Sequence, residues 1–194
     1  MALGTSGDVN GAYRRCVGDA RYVPQPAATA RTRLEPLRVD HAEQMVSVLG
    51  DRALYDVIGG QPPTLEELVA RYERQLAGPS RANEAWLNWI VVVDDQSVGF
   101  VQATTTDDGT GTVADVGWVI GVSAQGRGLA TEATAAAVAQ LQAQGVTTFS
   151  AHIADGHLAS VGVARRLGFR PTEVVEGGER VWTLTRGPSP EPAR

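Results

Sequence analysis

Three runs rich in β-branched and aromatic residues, 86–93, 98–106 and 112–120, follow one another with only short polar stretches between them. Asp94-Asp95-Gln96-Ser97 and Asp107-Asp108-Gly109 stand where the chain must turn. Such a succession predicts a three-stranded antiparallel meander. The period then switches. Residues 128–144 form an alanine-rich helical run closed by Gly145, and 147–153 form another strand. Residues 157–167 predict a helix with Val161, Ala164 and Leu167 inward and Gly168 as its stop. Two last strands, 170–175 and 180–185, flank a turn that contains Glu176-Gly177-Gly178.

Upstream of the meander, residues 32–39 predict a short opening strand. Asp40 with Glu43 marks a helix start of the capping-box kind, and Thr64 with Glu67 marks a second. In the second helix Leu65, Leu68, Val69, Tyr72 and Leu76 recur at helical spacing until Gly78-Pro79. The order β-αα-βββ-α-β-α-ββ predicts one α/β (α+β) domain with a mixed, mostly antiparallel central sheet of about seven strands flanked by about four helices. A chain of 194 residues holds one such domain. Residues 1–30 are expected to be a flexible N-terminal arm, 31–186 the domain, and 187–194, with three prolines, a disordered tail.

Charge narrows the function. All 17 basic residues are arginine, the net charge is −5, and between residues 82 and 164 only Arg127 faces eight acidic side chains. A nucleic-acid binder needs a basic stripe against phosphates, so nucleic acid is excluded as a partner. No run approaches the roughly 20 apolar residues of a membrane span, so no membrane partner is expected. With no signal peptide visible and a single cysteine, Cys16, in the arm, the expected location is cytoplasmic. No His, Cys or carboxylate spacing suggests a metal site, and none is expected.

Residues 119–131 read as strand, glycine-containing loop and helix start. Gly126 and Gly128 permit positive φ, the first amides of the helix point outward unpaired, and Arg127 adds a positive charge. This is an anion site suited to a phosphate or pyrophosphate. A nucleoside-triphosphate loop needs a lysine, which the chain lacks throughout. A dinucleotide fingerprint needs a third glycine where Thr131 stands, in a βαβ unit rather than after a meander.

Gln125-x-x-Gly128-x-Ala130 resembles the acyl-CoA pyrophosphate loop of the GNAT superfamily of N-acetyltransferases. His157-Leu158-Ala159-Ser160, followed by Leu167-Gly168-Phe169, is similar to that family's Asn-x-x-Ser segment and Leu-Gly-Phe ending. The opening 31–37 segment and the run 128–133 resemble the ribosomal-protein (RimJ/RimL-type) branch.

The resemblance implies acetyl-CoA as cofactor, with CoA as product, and an amine acceptor, either a peptide N-terminus or a small molecule. Trp118, Val119 and Ile120 would pair with the pantetheine arm. Gln125, Gly126, Arg127, Gly128, Leu129, Ala130 and Thr131 would cradle the pyrophosphate. His157 stands where the family has an asparagine that contacts the pantetheine. Ser160, which matches a serine of the ribosomal-protein branch, would protonate the departing thiolate, and Ala164 stands where many members have a tyrosine; the structural alternative is a serine that caps the helix.

Three side chains compete as base: Glu179 before the last strand, Asp115 on an otherwise apolar strand, and His152. A low-pKa acceptor such as an α-amine, near ~8, needs little help from any of them. Trp86, Trp89 and Trp118 are either acceptor-site aromatics or core. Glu132 in the first helical turn complements the helix dipole. The rival class is a non-catalytic acyl-CoA-binding sensor or interaction module on the same fold, and an acyl group other than acetyl is a third reading. Either a monomer or a homodimer agrees with the sequence.

Overall fold

The computed structural model describes residues 22–187. Cys16, most of the expected arm and all but the first residue of the expected tail lie outside that range.

The chain opens with β1 (Ala27–Ala28) and β2 (Arg33–Pro36), followed by α1 (Ala42–Val48), a helical turn α2 (Tyr55–Ile58) and α3 (Leu65–Ala77). The meander is β3 (Glu84–Val93), β4 (Gln96–Asp107) and β5 (Thr112–Ile120). Then come α4 (Leu129–Ala143), β6 (Thr148–Ile153), α5 (Leu158–Leu167), β7 (Arg170–Glu176) and β8 (Glu179–Thr185). The eight strands form one sheet in the order β1-β2-β3-β4-β5-β6-β8-β7. Only β5 and β6 pair in parallel. The sheet and the four helices of seven residues or more agree with the fold class expected; the additional strand is β1.

Both faces of the sheet are covered, which is why β3 reads as a nearly unbroken apolar run rather than an alternation. Leu87, Trp89 and Val91 join Ala114, Val116, Phe149 and the inner residues of α4 and α5 in one core. Ile90 and Val92 join Met45, Leu49, Leu68 and Tyr72 of α1 and α3 in a second core on the other face. The β3–β4 turn is tight because Asp94 and Asp95 both take positive φ, 48° and 60°, a conformation Asp tolerates better than most residues.

Several local expectations are corrected. The first strand ends at Pro36, well short of residue 39, and a 3-10 turn at Val39–His41 follows. The Asp40–Glu43 cap does not form: Asp40 pairs with Arg38 Nε at 3.0 Å, and His41 Nδ1 accepts the Arg38 amide at 3.1 Å. The Thr64–Glu67 box does form, with both reciprocal hydrogen bonds present.

The described part of the arm, residues 22–30, is docked. Tyr22 is buried, β1 pairs with β2, and Trp89 Nε1 donates to the Gln25 carbonyl at 3.1 Å. Local composition hides this because the partners of this segment lie on elements far along the chain. Gly187 is likewise held, its carbonyl accepting from Gln142 Nε2 at 2.9 Å. Among the described residues, no helix is long and apolar enough to cross a membrane.

Candidate active site

After Ile120 the chain makes a 3-10 turn at Val122–Ala124 and enters the glycine loop. Gly126 and Gly128 sit at φ +74° and +76°, in the left-handed region that side-chain-bearing residues enter only with strain. Gly128 is the N-cap of α4, and the first helical hydrogen bond runs from the Glu132 amide to the Gly128 carbonyl at 3.2 Å. The amides of Leu129, Ala130 and Thr131 therefore precede the α4 ladder and are available to an anion. The Thr131 hydroxyl is a second orphan there, buried with no partner. Gln125 serves the turn itself, its Nε2 donating to the Ile120 carbonyl at 2.9 Å.

The loop borders a cleft of about 630 Å³. The cleft exists because β5 and β6 part company. Their parallel pairing stops at Asp115–Ser150, and the edges beyond have no strand between them. Trp118, Val119 and Ile120 line one wall, the 125–131 loop the end, and His157 and Ser160 of the α5 start the other wall. All eleven residues expected to touch the cofactor thus meet in one cavity, with Ser160 beside them.

Ser160 belongs to the first turn of α5, but it is not a cap. The N-cap is His157, and no side chain caps that end. Burial pushes the His157 imidazole below its ordinary value, with the charge of Glu179 opposing, so the ring is neutral at pH 7. Arg166 also lines the cleft and adds a cation that the sequence reading missed. Its signal was the i, i+4, i+7 stripe Ala159, Val163 and Arg166 along α5.

The three candidate bases lie outside the cleft wall. Asp115 and His152 come together: His152 Nε2 is 3.6 Å from Asp115 Oδ1, and Ser150 Oγ donates to the same oxygen at 3.0 Å. Glu176 closes the group, 4.0 Å from His152 Nδ1. Because Ala114, Val116 and Phe149 point into the α4 core, these groups occupy the opposite sheet face, at the point where the strands separate. Glu179 is apart from them, opposite Glu176 in the β7–β8 hairpin. Of the tryptophans, Trp89 is fully buried core, Trp118 lines the cleft, and Trp86 is half-buried. Glu132 does more than complement a dipole, since it binds Thr29 and Arg31.

Residues 31–170 match the acetyltransferase (GNAT) domain. The chain belongs to the GNAT acetyltransferase family. No curated protein matches it. Among solved structures, a ribosomal L7/L12 α-N-protein acetyltransferase, RimL, in complex with coenzyme A superposes with a TM-score of 0.69 at 14% identity, covering 83% of this chain and 98% of the other. A GNAT-family acetyltransferase from Bacillus anthracis gives 0.67 at 16% identity, with 83% and 98% covered. The aminoglycoside acetyltransferase AAC(6')-Ib in complex with coenzyme A gives 0.65 at 19% identity, with 80% and 95% covered. These likenesses are of fold, and they agree with the GNAT and RimL-type resemblance of the loop and first strand.

For a GNAT acetyltransferase the donor set is chemically apt. Three amides outside the helix ladder, an orphaned hydroxyl and the cations of Arg127 and Arg166 suit a pyrophosphate-bearing, elongated ligand such as CoA.

Proposed function

We propose that the chain is an acetyl-CoA-dependent N-acetyltransferase that passes the acetyl group directly to a primary amine. The observation that carries this reading is the union, in one cleft, of the 126–131 amides, the exposed edge of β5 and Ser160 in the first turn of α5. Acetyl-CoA supplies an activated acetyl thioester, which an amine attacks to give an amide and a free thiol.

In this reading the amides of residues 126–131 and Arg127 hold the pyrophosphate, and the backbone of Trp118, Val119 and Ile120 holds the pantetheine as a strand would. Neutral His157 offers one N–H to the same arm. Ser160 Oγ gives its proton to the departing sulfur. The amine enters from the opposite sheet face, where His152 takes its proton at Nδ1, the ring nitrogen that does not face Asp115, directly or through one water. Asp115, 3.6 Å from Nε2, favours by its charge the imidazolium that forms. The acceptor is a peptide N-terminus or a small-molecule amine.

Thiol release from acetyl-CoA, measured with N-terminal peptides, aminoglycosides and polyamines and paired with calorimetric CoA binding, tests the reading. Amine-dependent release is the expected result. CoA binding without release across the panel would favour an acyl-CoA-binding module, and absence of CoA binding would overturn the assignment of the loop.

A further inference from the structure

The helix α4 is gripped along one side by residues 22–32, the N-terminal strap, which contains β1. Glu132, Gln140 and Gln144 fall on one face of α4, spaced in multiples of four. Gln144 exchanges both hydrogen bonds with Val23, donating to its carbonyl at 3.1 Å and accepting its amide at 3.0 Å. Gln140 does the same with Gln25, at 2.9 and 3.0 Å.

The grip tightens at the loop. Glu132 accepts from the Arg31 amide at 2.7 Å, from Arg31 Nε at 2.7 Å and from the Thr29 hydroxyl. Arg31 Nη2 lies 2.6 Å from Glu132 Oε2, and Nη1 donates to the Arg127 carbonyl at 2.7 Å. One guanidinium thus bridges the first turn of the helix and the middle of the loop. Arg31 itself does not line the cleft.

We propose that Arg31 is a positioning residue for CoA: it clamps the 125–131 loop to the N-terminal strap and neutralises Glu132, a carboxylate that would otherwise repel the pyrophosphate. This inference rests on the reading of the loop as a CoA site. Two physical effects combine in it. Tying the Arg127 carbonyl to a fixed group removes freedom that the loop would have to surrender on binding. Pairing Glu132 cancels a like charge in the first helical turn, where a second anion is to be held. Because the strap and the ligand both stabilise the same loop conformation, each must stabilise the other.

Calorimetric binding of CoA to the full chain tests this. Arg31→Ala is expected to raise the dissociation constant about tenfold, the scale of a lost charge-assisted contact. Adding Glu132→Gln to it should recover the part of that loss due to the unpaired charge and leave the part due to the untied loop. KM for acetyl-CoA should follow the dissociation constant while kcat stays within about twofold; a merely structural lesion would lower the melting temperature without this split. In the wild-type chain, saturating CoA should slow amide exchange across residues 22–32, although none of them lines the cleft, and this needs no variant to fold.

Arg31→Ala binding CoA as tightly as wild type, or strap exchange indifferent to CoA, would overturn the clamp alone. A wild-type chain that bound no CoA would overturn the cofactor reading with it.

Discussion

His152 Nε2 stands 3.6 Å from Asp115 Oδ1, two residues beyond the last register pair of β5 and β6, Asp115–Ser150, where the sheet opens. On the proposed reading His152, on the sheet face opposite the cleft, is the base, and Asp115 beside its Nε2 supports the imidazolium. His152→Ala is expected to lower kcat on the order of 100-fold, and Asp115→Asn on the order of tenfold, with CoA affinity unchanged. Steady-state thiol release at saturating acetyl-CoA measures both. Equal rates for wild type and His152→Ala would show that the amine loses its proton to solvent and that this pair only binds structurally.

Ser160 gives a separate test of the acid. Its hydroxyl does not cap α5 and makes no side-chain hydrogen bond among the described residues, so its removal leaves the helix intact. Ser160→Ala should keep the melting temperature within a degree or two of wild type. It should lower kcat on the order of 100-fold, the usual scale for losing a positioned proton donor. A rate within twofold of wild type would remove Ser160 from the chemistry.

The meander, both long helices and the loop were legible because each is written in local periodicity or in backbone requirements that glycine satisfies. The loop's two turns need only residues that take positive φ, so Gly126 and Gly128 with the element order around them marked its place. Asp115 and His152 were each named as candidate bases, but their meeting was not legible. Asp115 and His152 are 37 positions apart and meet only through the parallel β5–β6 pairing, which no short window contains. The docked segment escaped for the same reason, since Val23 binds Gln144 across 121 positions. The Asp40–Glu43 cap failed because Asp40 lies inside the Val39–His41 turn, so that His41 is the N-cap of α1.

Gly128 tests whether the loop conformation matters for binding. It holds φ +76° and ψ 9°, and a Cβ there would meet only Arg31 Nη2, at 3.5 Å. Steric space is therefore adequate, and backbone strain decides the outcome. Gly128→Ala is expected to cost about 1–2 kcal/mol in stability and to weaken CoA binding as the loop relaxes. Denaturant melts and calorimetry read the two effects independently. An unchanged stability would mean that the loop does not hold this left-handed turn in solution.

Acid should undo the strap in a defined direction. Burial tends to raise the Glu132 carboxyl, but the hydrogen bonds from Thr29 and Arg31 outweigh it and hold the group below the usual carboxylate range. A carboxyl lowered on folding adds stability that is complete above its unfolded value, near ~4.5, and that disappears as pH falls through the folded value. Wild type should therefore exceed Glu132→Gln in melting temperature by a constant margin from neutral pH down to about pH 5. The margin should shrink in more acid solution, as the carboxylate takes up its proton and releases Arg31. The pairing is partly exposed, with the Arg31 side chain 53% accessible, so salt should narrow the margin as well. A margin independent of both pH and salt would mean that Glu132 acts through packing rather than through its charge.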